Sequence, residues 1–127
     1  MAKVMVVEDE ILIRFAVADA LIEAGHVVIE CGNVLEALAA LGRHEDMVAV
    51  VTDIDMPGGL TGLDLAGFIR KAQPSIAVWV TSGREIDISH LVDVTFLPKP
   101  YELGALVSAI AERVIPGADR TSRRIFR

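Results

Sequence analysis

Residues 48–58 read Val48-Ala49-Val50-Val51-Thr52-Asp53-Ile54-Asp55-Met56-Pro57-Gly58, an apolar run that ends abruptly in two carboxylates and a proline-glycine turn. Four successive apolar side chains with no polar alternation describe a strand covered on both faces, as in a parallel sheet held between helices. Residues 4–7 and 76–80 repeat that character, and residues 26–30 and 94–97 are weaker strand candidates. Helical spacing fills the intervals over residues 11–24, 34–41, 63–72 and 103–114; Gly25 stops the first, Asn33 caps the second and Pro74 follows the third. Strand and helix thus alternate five times, which predicts an α/β fold with a doubly wound, five-stranded parallel sheet. The fourth unit is the exception, because residues 81–96 leave room for only a short or irregular fourth helix around residues 86–92.

Composition agrees with one domain. The chain has 127 residues, 53% of them hydrophobic, enough for a single core and too many for a disordered protein. No apolar run approaches the ~20 residues needed to cross a bilayer, and the N-terminus moves from Lys3 straight into strand-like residues, without the long apolar stretch of a signal peptide. A cytoplasmic location is expected. The net charge of −6 argues against DNA binding. One basic cluster, Arg120, Arg123, Arg124 and Arg127, follows Pro116-Gly117, where the helical pattern stops. The expected organisation is a domain over residues 1–115 and a basic tail over residues 116–127 that is too short for an effector domain. Cys31 is alone and has no disulfide partner in the chain, so it is read as a small residue in a reducing compartment; His26, His44 and His90 show no paired spacing, so surface or structural roles are expected for them.

In an open sheet of this kind, ligands bind beyond the carboxyl ends of the strands. There the sequence places Glu8-Asp9-Glu10 after the first strand, Asp53-Ile54-Asp55 after the third, Thr81-Ser82-Gly83 after the fourth and Pro98-Lys99-Pro100 after the fifth. Clustered carboxylates repel one another unless a cation neutralises them, and an oxygen-rich set suits Mg²⁺. Lys99 adds a compact positive charge. Such a group suits phosphoryl transfer, with a strand-end carboxylate, Asp53, as the nucleophile.

With these features in this order, residues 3–115 resemble a single-domain response-regulator receiver domain of bacterial two-component and phosphorelay systems. The resemblance implies a flavodoxin-like sheet of order 2-1-3-4-5. It also implies that Asp53 accepts a phosphoryl group from a histidine kinase or phosphotransfer protein, switching protein–protein interactions. Mg²⁺, with Mn²⁺ as a substitute, would be held by Asp9, Asp53 and the Asp55 backbone carbonyl, with Glu8 a ligand directly or through water. Lys99 would contact the phosphoryl oxygens, and Thr81 and Phe96 would form the switch pair. Asp55 and Gly83 stand where the family tunes phosphoryl lifetime. The chain departs from the family pattern in a 56–62 loop one residue longer and in the shortened fourth helix, which belongs to the family's output surface.

In the first helix, Ile13, Ala16, Val17, Ala20 and Leu21 are expected to pack on the sheet. Ile11, Phe15, Ala18 and Ile22 then form a second apolar stripe for a kinase or a second copy in a homodimer. Apart from limited self-phosphorylation and autodephosphorylation, no enzyme activity is expected. Two alternatives share parts of the pattern: a haloacid-dehalogenase-like phosphatase using Asp53 and Asp55, and a receiver-like module that binds without phosphorylation.

Overall fold

The computed structural model describes residues 2–119, with side chains described as far as Arg113. Five strands, β1 (Lys3–Val7), β2 (Val27–Cys31), β3 (Met47–Asp53), β4 (Ala77–Ser82) and β5 (Val94–Pro98), form one sheet of order β2-β1-β3-β4-β5. All neighbouring pairs are parallel. The helices are α1 (Ile11–Glu23), α2 (Val34–Arg43), α3 (Gly62–Ala72) and α4 (Leu103–Asp119).

Alternation along the strands divides the core in two. Val4 and Val6 of β1, Ala49 and Val51 of β3, and Ala77 and Trp79 of β4 meet Val17 and Leu21 of α1 and Leu106 and Ile110 of α4. Their neighbours Met5, Val7, Val50, Val78 and Val80 face Val34, Ala37 and Leu41 of α2 and Leu65 and Ile69 of α3. The unbroken apolar runs are therefore two period-two patterns laid into one strand, each satisfied by a different helical layer.

The helix starts follow local chemistry. Asn33 accepts the Glu36 N–H at 2.8 Å through its side chain, and Thr61 and Asp64 form a reciprocal capping box at α3. Between β4 and β5 the chain forms turns and bends rather than the short or irregular helix expected there. Asp87 accepts the Ser89 N–H at 2.9 Å, so its side chain closes a local turn in place of helix bonds. Ile86, Ile88 and Leu91 pack against the α2/α3 side of the core.

A second difference lies at the far end. The helix expected to stop near residue 114 continues through Pro116 and Gly117 to Asp119, so the expected boundary between domain and tail falls within α4. Proline forfeits one N–H but keeps a helix-compatible φ, which makes its cost local. The arginines expected in the basic tail lie outside the described residues.

The 56–62 loop carries the conformational load beside Asp53. Gly58 and Gly59 have φ of 106° and 84°, values that side-chain-bearing residues rarely adopt. Gly62 has a different constraint: its N–H donates to the Ile54 carbonyl at 2.9 Å, and a Cβ built there would lie 2.1 Å from the Asp53 carbonyl oxygen. Gly62→Ala is expected to lower the unfolding free energy by about 2 kcal/mol or more, because backbone must move to admit the methyl group. Urea denaturation followed by the fluorescence of buried Trp79 measures this; an unchanged midpoint would contradict the close approach.

Candidate functional site

Strand register brings the expected residues together. Asp53 pairs with Thr81 across β3 and β4, the Ile54 N–H reaches the Thr81 carbonyl at 3.0 Å, and the Lys99 N–H reaches the Ser82 carbonyl at 2.8 Å. The parallel ladders thus continue just beyond the strand ends and fix the backbone that carries the polar groups. Asp53 is 8% exposed, Glu8 and Thr81 are buried, and Asp9 is open to solvent.

Lys99 Nζ lies 3.2 Å from Asp53 Oδ1 and 3.2 Å from Glu8 Oε1. One ammonium therefore serves two largely buried carboxylates. Burial, the largest influence, raises the Asp53 pKa above the ordinary aspartate value; Lys99 pulls it back, while Asp9 and Asp55 push it further up. Glu8 is also raised, chiefly by burial, although the Glu10 N–H donates to its Oε2 at 3.1 Å and favours the charged form. Burial works against the Lys99 ammonium, but Asp53 and Glu8 together outweigh it and hold its pKa above the ordinary lysine value. Glu8, Asp9 and Asp53 each present a carboxylate oxygen within 4.8 Å of the others, a hard oxygen set that fits a divalent cation such as Mg²⁺.

Asp55 faces a partner that the sequence reading missed. Arg84 grips it with two hydrogen bonds, Nη2 to Oδ1 at 2.6 Å and Nε to Oδ2 at 3.2 Å, and the Ser82 hydroxyl reaches Oδ2 at 3.4 Å. That grip holds the Asp55 carboxyl below the usual aspartate range. The available signal was an arginine directly after Thr81-Ser82-Gly83, but its target, 29 residues away, depends on β3 and β4 being adjacent. Arg14 was missed as well: it donates to the Glu8 carbonyl at 3.0 Å and pairs with Glu30 at 3.1 Å, joining α1 to the ends of β1 and β2.

Phe96 is half-buried and pairs with Val80 in register, one position before Thr81, so the expected switch residues are diagonal neighbours on adjacent strands. The outer stripe of α1 is altered. Ile11, Phe15 and Ile22 are exposed, but Ala18 is 1% exposed and belongs to the core, while Ala16, expected on the sheet, faces outward. Ala18 lies one turn after Arg14, which pairs with Glu30 of β2, so the buried arc of α1 extends toward the β2 side, on which α1 also packs. Leu12, 83% exposed, joins the apolar surface instead. With Ala16, Tyr101 and Leu103 it lines an apolar groove of about 650 Å³ that runs to Lys99.

The model of the response regulator receiver domain family matches residues 4–111. The response regulator protein FleR of Pseudomonas aeruginosa is 31% identical over 126 residues, covering 93% of this chain and 26% of FleR. The sensor kinase CckA of Brucella abortus is 34% identical over 119 residues, covering 87% of this chain and 12% of CckA. The chain thus spans about a quarter or less of these curated relatives. Among solved structures, the receiver domain of the hybrid histidine kinase CckA superposes with a TM-score of 0.77 at 27% identity, covering 89% of this chain and 99% of that one. The response regulator TrrA of Thermotoga maritima, solved in complex with Mg²⁺-BeF, superposes with a TM-score of 0.79 at 27% identity, covering 90% of this chain and all of that one.

The charge balance has a measurable consequence. A carboxyl whose folded pKa is raised binds its proton more readily in the native state, so ionised Asp53 costs stability at neutral pH. That cost fades as pH falls through the raised value toward the ordinary 3.8. Asp53→Asn is expected to be more stable than the wild type at pH 7 by on the order of 1 kcal/mol, with the gain shrinking on acidification. Denaturant midpoints from pH 7 to pH 4 test the sign; a gain that grows on acidification would contradict it.

Proposed function

The chain belongs to the response regulator receiver domain family, and we propose that Asp53 is the residue through which it performs that family's phosphoacceptor function. The observation that carries this assignment is the largely buried Asp53 carboxylate at the end of β3, with the Lys99 ammonium 3.2 Å from one of its oxygens. A carboxylate oxygen of Asp53 attacks the phosphorus of a phosphohistidine donor; the bond from phosphorus to nitrogen breaks and the histidine leaves with the electron pair. Lys99 then shares its charge with the phosphoryl oxygens, and the Thr81 hydroxyl donates to one of them. Thr81 and Phe96 are the proposed switch pair, biased by the added charge.

Asp9, Asp53 and the Asp55 backbone carbonyl are the proposed ligands of Mg²⁺ or Mn²⁺, and Glu8, already held by Lys99 and the Glu10 N–H, supports them directly or through water. A bound divalent cation would offset the carboxylate charge and stabilise charge on the transferred oxygens. The protein is read as a phosphoacceptor rather than a turnover enzyme. The phosphatase alternative requires Asp55 as a free acid/base, whereas Arg84 occupies both of its oxygens. A purely phosphorylation-independent module does not account for the retained Asp53–Lys99 pair.

Membership of the family implies a histidine kinase or phosphotransfer partner. The exposed side of α1, comprising Ile11, Leu12, Phe15 and Ile22, is the proposed docking face for that partner, with a second copy as its competitor. No described helix is long and apolar enough to cross a membrane. Phosphotransfer from a kinase supports the proposed cytoplasmic location.

Incubation with Mg²⁺ and a small acyl-phosphate donor is expected to add one phosphoryl group to the intact mass of the wild type and none to Asp53→Asn. An adduct on the variant would place the acceptor elsewhere. Phe15→Asp is expected to accept phosphate from the small donor normally but to be phosphorylated by its cognate kinase about ten-fold more slowly, the effect of losing ~1.4 kcal/mol of docking energy. Equal kinase rates would remove α1 from the interface.

A further inference from the structure

Arg84 opens the segment 83–93, which connects β4 to β5 without a helix. Among the described residues, the side chain of 84–93 that hydrogen-bonds to the rest of the protein is that of Arg84, which grips Asp55. The segment's own backbone is pinned by the Arg84 N–H to Ser82 Oγ at 3.2 Å and by the Leu91 N–H to the Ile88 carbonyl at 2.9 Å. A guanidinium fork fits the oxygens of a carboxylate and of a phosphoryl group equally well, but it is drawn more strongly to a phosphoryl group, which carries nearly twice the charge.

Asp55 lies two residues beyond Asp53, and Ser82, which contacts Asp55, follows Thr81, the register partner of Asp53. A phosphoryl group on Asp53 would therefore arise beside the existing pair. Asp55 and Arg84 are both substantially exposed, so water can take over the released carboxylate at little cost. Lys99 is already shared between Glu8 and Asp53, so beside it and the proposed divalent cation the Arg84 guanidinium is a further positive group near the additional charge.

Resting on the assignment of Asp53 as acceptor, we propose that Arg84 is a phosphoryl-responsive latch: it holds Asp55 in the resting protein, transfers its fork to the phosphoryl oxygens after Asp53 is modified, and carries segment 83–93 with it. Phe96 shares a cleft of about 520 Å³ with Glu85, Ile86 and Asp87, so this displacement reshapes the surroundings of the aromatic ring. Output is then delivered by a tethered loop rather than by a rotating helix.

Hydrogen exchange of the 83–93 peptide, measured by mass spectrometry on the whole chain before and after acyl-phosphate treatment, tests the latch. Phosphorylation is expected to alter wild-type exchange in this segment by about three-fold or more, and that of Arg84→Ala by less than about 1.5-fold while the Asp53 adduct still forms. Asp55→Asn removes the resting carboxylate partner, so its unmodified exchange is expected to approach that of the phosphorylated wild type. A full response in phosphorylated Arg84→Ala, or resting behaviour in Asp55→Asn identical to the wild type, overturns the latch alone. Absence of any adduct at Asp53 in the wild type overturns the acceptor assignment and the latch together.

Discussion

The position of the Lys99 ammonium between Glu8 and Asp53 organises the polar edge of this protein. Two largely buried carboxylates beside a third at Asp9 form an unstable grouping on their own, and burial already raises the pKa of two of them. The cation reaches them because β5 ends at Pro98 and its backbone stays bonded to β4 through the Lys99 N–H and the Ser82 carbonyl. A single positive charge leaves the group short of neutrality, which makes it receptive to a divalent cation and responsive to any group that changes its charge. The apolar layers above and below the sheet supply the rigidity that keeps these groups close despite their repulsion.

Much of this was legible in the chain because it depends on two short periodicities. The runs in β1, β3 and β4 announced strands buried on both faces, and the polar residues immediately after them fell at one sheet edge once the strands were parallel. Asp53, Glu8, Asp9, Thr81 and Lys99 could thus be grouped before any distance was known. Features created by contacts between distant elements were not legible. The Arg84–Asp55 fork joins two loops, and the exchange of Ala18 for Ala16 on the buried side of α1 follows from how α1 seats against β2, not from the spacing of α1 itself.

Local competition explains the other two differences. In the β4–β5 connection, the sequence left room for a short or irregular helix around residues 86–92, but Asp87 satisfies a backbone N–H by a tight turn, which favours irregular structure over a helix. At the end of α4 the proline-glycine pair suggested a stop, yet the chain keeps its helical path through both. Proline and glycine change the odds of termination without dictating it. The α1 surface shows the opposite tendency: apolar residues cover more of the helix than the core can bury, so composition alone anticipated an excess but not which residues would carry it.

The approach of Gly62 to the Asp53 carbonyl gives the 56–62 loop a mechanical character. Its downstream end is anchored by the Gly62–Ile54 hydrogen bond and by the Thr61–Asp64 capping box, and its upstream end by β3. Between these two anchors Gly58 and Gly59 adopt left-handed backbone angles. The arrangement works like a cable between fixed posts: the glycines between them bear the turn, and the post that carries Asp53 stays where the sheet has set it.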